Sequence, residues 1–187
     1  MTGTDPQPGQ LFTVGHGARP IDDFLALLRG AGIERVVDVR TAPGSRRHPQ
    51  FGRDALAGEL EGAGIGYVWR RELGGFRRAR GDSRHVALES DSFRGYADHM
   101  ETDQFRRAIG WLLETSRQEP TAVMCAESLW WRCHRRMIAD GATARGWRVV
   151  HVMARGDREA HRLHPAARME SDALVYDRST EQGRLTG

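Results

Sequence analysis

The sequence predicts an α/β fold, a mostly parallel, Rossmann-like five-stranded sheet with helices on both faces, in a single domain over residues 1–187. Three observations carry that prediction. Short apolar runs of strand length recur along the chain. Between them lie stretches with apolar residues at i, i+3, i+4 and i+7, the mark of one helical face. The runs end in glycine-containing or polar turns, so strand and helix alternate.

Leu11 to Val14 is the first run, closed by Gly15-His16-Gly17. Pro20 suits a first helical position, Asp22 and Asp23 favour a first turn, and Ile21, Phe24, Leu25 and Leu28 form the apolar face that Gly30 and Gly32 end. Val36 to Val39 is the second strand, leading into a polar loop from Arg40 to Phe51. A weaker helix around Leu56 and Leu60 ends at Gly62 and Gly64, and Ile65 to Trp69 is the third strand. Residues 73–92 read as a Gly- and Arg-rich loop, of a length that goes with function or disorder. Phe93 to Met100 reads as a short helix, and Phe105, Ile109, Leu112 and Leu113 mark a second clear stripe. Thr121 to Cys125 is the fourth strand, Cys133 to Arg145 a helix, and Arg148 to Met153 the fifth strand. Residues 1–10 and about 171–187 are expected to be flexible, apart from one short strand near Ala173 to Tyr176.

A sheet of this kind binds ligands beyond the carboxyl ends of its strands. That rule gathers His16, Asp38, Arg40, the Arg70 to Glu72 segment, Cys125 and Glu127 at one edge from distant parts of the chain.

Composition narrows the chemistry. A hydrophobic content of 39% and a mean hydropathy of -0.58 describe a globular protein, and no apolar run is long enough to cross a bilayer. The polar, Pro- and Gly-rich start lacks the pattern of a signal peptide. A cytoplasmic location is therefore expected, with no membrane partner and with reduced thiols; two cysteines are no disulfide framework. All 28 basic residues are arginine, and the chain has neither lysine nor asparagine, as a GC-rich genome would give. Without lysine, Schiff-base catalysis and a Walker-type phosphate loop are excluded. The net charge of +3 is modest, so most of these arginines are expected to be solvated surface.

Cys125 closes a buried strand shortly before a helix, where the dipole and nearby arginine favour a thiolate. The same position suits a small buried hydrophobe. The segment resembles the cysteine loop of tyrosine phosphatases and rhodaneses, but six residues rather than five separate Cys125 from Arg132, and Trp130-Trp131 is bulky for a phosphate cradle. A metal set could draw on Cys125, Glu127, Cys133, His134 and His16, although the spacing matches no common zinc pattern and adjacent Cys133 and His134 point about 100° apart on a helix. His16, between two glycines at a strand end, is placed to act as an acid or base titrating near neutrality. Arg46-Arg47-His48, Arg77-Arg78-Ala79-Arg80 and the Trp130-Trp131 pair suit nucleic-acid phosphates and bases, or equally a solvated loop and a packed wall.

Thr13-Val14-Gly15-His16, Val37-Asp38-Val39-Arg40 with Pro43 and Ser45-Arg46, Leu73-Gly74-Gly75, Tyr96 to Met100, and Cys125-Ala126-Glu127 with Cys133-His134-Arg135 occur in that order. The series resembles the domain of unknown function 488 family over roughly Leu11 to Met169. Gly17 departs from the serine usual in that pattern. The resemblance implies that the strand-end residues form the family's signature and site; it implies no substrate, reaction or cofactor.

The function expected is an enzyme acting on a small anionic or nucleotide-like molecule. Cys125 is expected to be the nucleophile or redox thiol, with Glu127 and His16 moving or orienting protons and Cys133 and His134 assisting. Asp38, Arg40, Ser45, Arg46, Gly74, Gly75, Tyr96 and Arg135 are expected to bind the substrate. The alternatives are a nucleic-acid-binding accessory module and a metal-binding protein. Cofactor and oligomeric state stay unassigned.

Overall fold

The computed structural model describes residues 9–44 and 46–178. Ser45 and the extreme ends, 1–8 and 179–187, lie outside the described residues.

The chain forms a mixed six-stranded sheet in the order β3-β2-β4-β1-β5-β6, from β1 (Gln10–Gly15), β2 (Arg35–Asp38), β3 (Gly66–Trp69), β4 (Thr121–Cys125), β5 (Arg148–Val152) and β6 (Arg158–Ala160). The first five strands are parallel, and β6 adds an antiparallel edge to β5. The sheet is therefore one strand larger than its five apolar runs suggest. All three β6 residues are exposed, so no apolar pattern marks it in the sequence. A separate hairpin pairs β7 (Ala167–Glu170) with β8 (Ala173–Tyr176). β8 lies inside the tail expected to be flexible, yet all four of its residues are buried. Tyr176 seals it: its hydroxyl donates to Asp140 at 2.9 Å and its ring is fully buried.

Helices α1 (Ile21–Gly30) and α2 (Arg53–Gly62) cover one face, where Phe24, Leu25, Leu28, Leu56 and Leu60 pack with Val14, Val36 and Met124. Helices α3 (Asp91–Met100), α4 (Asp103–Gln118) and α5 (Arg135–Thr143) cover the other, bringing Tyr96, Phe105, Ile109, Leu112, Met137 and Ile138 against Val37, Val123 and Val149. Each large side chain so buried contributes about 1.5–3 kcal/mol. α4 starts at Thr102, whose hydroxyl accepts the Phe105 amide at 3.2 Å.

The strand order positions the site. From β1 the chain crosses to β2 over the α1 face, and from β4 it crosses to β5 over the opposite, α5 face. β1 and β4 are neighbours, so their following loops part at the carboxyl edge, which is where such sheets place a cleft. Gly15 lets the Glu127 segment lie over β1: a Cβ on Gly15 would stand 2.0 Å from the Glu127 carbonyl.

Candidate functional site

Beyond β1, β2 and β4 lies a cleft of about 720 Å³. The two sulfurs, His134, Tyr96, Gly75 and Arg40 line it, and Phe76, Phe93 and Arg132 stand nearer its mouth. Cys125 ends β4, and a 3-10 turn at Trp130–Arg132 returns the chain so that Cys133 precedes α5. The turn brings the Sγ atoms within 2.7 Å of each other. Both thiols are almost fully buried, Cys125 3% and Cys133 7% exposed.

Hydrogen bonds fix the tautomer of His134. Its Nε2 lies 3.1 Å from the Val39 carbonyl, which can only accept, so Nε2 carries the proton. Nδ1 then presents its lone pair to Cys133 Sγ at 3.5 Å. The Arg135 amide, at the start of α5, also points at that sulfur from 3.5 Å. The Cys133 thiol is pulled well below its ordinary range, first by the hydrogen bond from Cys125 and then, against burial, by His134 and Arg135. Cys125 is pushed up by burial and by the same hydrogen bond. The pair thus gives up one proton easily and holds the second.

Arg135, expected at the substrate, is instead buried behind the sulfurs at 1% exposure. Its Nε donates to Cys125 Sγ at 3.0 Å, and its terminal nitrogens donate to Thr13 Oγ1 at 3.3 Å and to the Glu127 and Ser128 carbonyls. A directed chain continues from it. Thr13 Oγ1 donates to His151 Nδ1 (2.7 Å), His151 Nε2 to His161 Nδ1 (2.9 Å), and His161 Nε2 to Asp140 Oδ1 (2.9 Å). Asp140 can only accept, and it also takes the His164 amide and the Tyr176 hydroxyl, each at 2.9 Å. Each donor along the chain thus meets an acceptor, and His151 is neutral. Burial pushes His151 down to about 3, with His161 and Arg135 adding to it. Trp130 stacks on His151 at 4.0 Å and covers the chain.

His16 does not titrate near neutrality. Its Nδ1 donates to the Gly17 carbonyl at 2.7 Å, its Nε2 faces Arg40 at 3.3 Å, and burial pushes it down to about 4. Asp38 lies behind the cleft, not in it. It accepts from the Arg40 amide (3.0 Å), the Arg40 guanidinium (2.6 Å) and Tyr67 (2.8 Å), and so holds Arg40 in place. Arg40 reaches the cleft wall but also donates to the Phe51 carbonyl at 2.7 Å. Arg46 is exposed and lies off the cleft lining, and Ser45 is outside the described residues. Glu127 is exposed on its loop, with Oε1 accepting the Leu129 amide at 3.2 Å. Tyr96 donates to the Leu73 carbonyl at 2.8 Å and sets its ring 5.2 Å from that of His134. Gly74 supports the turn from behind; Gly75 lies on His134, where a Cβ would stand 2.9 Å from Nδ1. Ser128 Oγ occupies the space that a side chain at Gly17 would take, 2.4 Å from the place of its Cβ.

Sequence reasoning did not single out Asp140, His151, His161 or Phe76, and it named Thr13 only as part of a motif. The available signal was a polar residue inside an otherwise apolar strand, Thr13 in β1 and His151 in β5. Phe76 is 93% exposed with a φ of 57°, a conformation bulky residues rarely adopt.

The set named for a metal is assembled only in part: the sulfurs and His134 meet, while His16 turns to Arg40 and Glu127 stays on its loop. Among the described residues, His85, Asp98 and Glu101 form the one group of three with ligand atoms close enough to share an ion. Its protons are against one. His85 Nδ1 accepts the Tyr176 amide at 3.3 Å, so Nε2 is protonated and faces Asp98 at 3.7 Å and Glu101 at 3.4 Å. Arg80 and Arg84 bind the same Glu101, at 2.7 and 2.6 Å, and their charge opposes a cation.

Residues 20–142, more than half of the chain, match the model of the family described as Domain of unknown function DUF488. The chain belongs to that family. The matched span of the DUF488 domain takes in the β2 end, the Gly74-Gly75 turn, Tyr96 and both cysteines, whereas Thr13 to His16 precedes it and His151 and His161 follow it. No curated protein and no solved structure matches the chain.

Proposed function

We propose that this DUF488 protein is a thiol-dependent enzyme acting on a small anionic or nucleotide-like molecule, with Cys133 as the nucleophile. The observation that carries the reading is the meeting of Cys133 with His134 Nδ1 at the floor of the cleft, in a tautomer set by Val39. This moves the nucleophile from Cys125 to Cys133. His134 takes the thiol proton and becomes a cation 3.5 Å from the sulfur, which favours the thiolate. Arg132, exposed at the cleft and without a side-chain partner among the described residues, is the cation placed to meet an anionic substrate, since Arg135 and Arg40 are engaged inside. Glu127 is the exposed carboxylate nearest in sequence to the sulfurs and the candidate for proton transfer at the mouth.

Alkylation of the native, reduced protein with iodoacetamide, mapped by mass spectrometry between pH 5 and 9, tests this. Label on Cys133 first, at a rate already high at pH 6, is the expected result. Label that appears only on unfolding, or that follows an ordinary thiol titration near 8.5, refutes it.

One observation favours nucleic acid as the ligand. The strained, exposed Phe76 stands beside Arg77 and Arg78 at the edge the cleft shares with a neighbouring hollow, an aromatic face next to guanidinium groups. That reading requires retardation of single-stranded DNA or RNA that weakens with salt; none at low salt removes it.

A further inference from the structure

A single nucleophilic thiol needs one sulfur; this cleft has two, on elements that hold them together. Cys125 is the last residue of β4, in register with Gly15 of β1, and its carbonyl accepts the His16 amide at 3.0 Å. Cys133 is held by the 3-10 turn before it, through its amide to the Trp130 carbonyl at 3.2 Å, and by α5 after it, through its carbonyl to the Arg136 amide at 3.1 Å. Neither sulfur has to travel to meet the other, which is 2.7 Å away. Any group that Cys133 acquires therefore has the Cys125 sulfur as its nearest nucleophile, at the effective concentration of a preset intramolecular reaction. Cys125 has its own activating group as well. Arg135 Nε points at its sulfur from 3.0 Å, and the guanidinium is immobilised by Thr13 and two carbonyls, ready to stabilise a thiolate there once the first charge is gone.

From this geometry we infer that Cys133 and Cys125 act in sequence as an attacking and a resolving thiol, and that the substrate class is a small anionic compound containing a sulfur–sulfur bond. The inference rests on the thiol reading above and extends it to Cys125. In the first step the Cys133 thiolate attacks one sulfur of R–S–S–R′; a Cys133–S–S–R mixed disulfide forms, the substrate S–S bond breaks, and R′–S⁻ leaves and takes the proton that His134 drew from Cys133. In the second, the Cys125 sulfur attacks that of Cys133, and its proton goes to the departing thiolate. R–S⁻ leaves and a Cys125–Cys133 disulfide remains. Two electrons pass from the cysteine pair to the substrate, giving two thiols, and a dithiol reductant must restore the pair for another turnover. A thiolate leaves readily from the mixed disulfide and lets the second step finish, whereas an acyl or alkyl group on Cys133 gives Cys125 no disulfide to form, which is why the pair suits this substrate class over an acyl or alkyl donor.

The test uses the full chain, prereduced and kept free of oxygen, with the anionic aryl disulfide 5,5′-dithiobis(2-nitrobenzoate). Wild type is expected to release two equivalents of the coloured thiolate per chain, one for each of its two cysteines, and to end unlabelled, lighter by two hydrogens, with Cys125 and Cys133 joined in one peptide pair. Cys125→Ser is expected to release one equivalent and keep one aryl thiol on Cys133; Cys133→Ser is expected to react at least about a hundredfold more slowly, having lost the activated thiolate. A stable single adduct on Cys133 of wild type, or aryl groups retained on both cysteines, overturns the dithiol inference and leaves the nucleophile standing. No reaction of the native protein overturns both. The wild-type mass and stoichiometry decide the matter even if a variant does not fold.

Discussion

Replacing Asp140 with asparagine (Asp140→Asn) removes a charge and almost no volume from the end of the hydrogen-bond chain that starts at Arg135. Asp140 is 1% exposed and accepts three hydrogen bonds, two on Oδ1 from His161 and the His164 amide and one on Oδ2 from Tyr176. Asparagine can place its oxygen where two donors arrive, but its NH2 then faces the Tyr176 hydroxyl, which must turn round inside a fully buried site. A hydrogen bond to a charged acceptor exceeds a neutral one by about 1 kcal/mol, so three weakened or reversed bonds amount to about 3 kcal/mol. Arg135 also loses the acceptor charge at the far end of its chain, which acts in the same direction. For a chain of this length, about 3 kcal/mol lowers Tm by roughly 6–12 °C. Urea unfolding followed by circular dichroism at pH 7, with reductant present, measures the free energy, and a melt measures the shift. Asp103→Asn, at an exposed helix start, is the control and is expected to stay within about 0.5 kcal/mol of wild type. A loss under 1 kcal/mol for Asp140→Asn refutes the reasoning, because the carboxylate would then not be anchoring the chain.

Two further outcomes follow from the same geometry. His16 and His151 are pushed down to about 4 and about 3 by burial, against about 6.5 in the unfolded chain; below pH 6.5 the unfolded state binds protons that the fold refuses, so their stabilisation is complete above 6.5 and is lost as pH falls toward 4. Between pH 7 and 5 the loss is about 2–4 kcal/mol, and a urea midpoint that stays flat over that range contradicts it. Gly75→Ala puts a methyl 2.9 Å from His134 Nδ1, so the ring must leave Cys133 or the turn must withdraw; alkylation of Cys133 at pH 6 is expected to slow about tenfold or more while Tm changes little, and an unchanged rate denies His134 its role.

The α/β alternation was legible because each buried strand is an apolar run and each helix shows one stripe, and because the strand-end rule then brought the β1, β2 and β4 ends together whatever the loops did. The antiparallel edge was not, since β6 is exposed at every residue and carries no pattern. The same contrast holds in the site. Cys125, Cys133 and His134 were legible as one segment, but the preference for Cys133 as the proposed nucleophile was not, because it depends on which nitrogen of His134 meets Val39, a contact 95 residues away in sequence. Asp38 and Arg40 read as two substrate contacts and in the fold satisfy each other.

Arg135 shows what such a reading misses. A cation beside a thiol in sequence suggests an anion holder facing outward, and the spacing of Arg132 and Arg135 gives no reason to send one in and the other out. The strands decide it. Thr13 and His151 are register partners on adjacent strands, and they give a buried guanidinium a polar path to Asp140 that no single segment reveals. With Arg135 inside, its charge falls on Cys125 rather than on the substrate, and the cation left for the substrate is Arg132 at the mouth. In the proposed reaction the two arginines separate two tasks, holding an anion outside and readying the second sulfur within, and a site divided in this way would have a use for both of its cysteines.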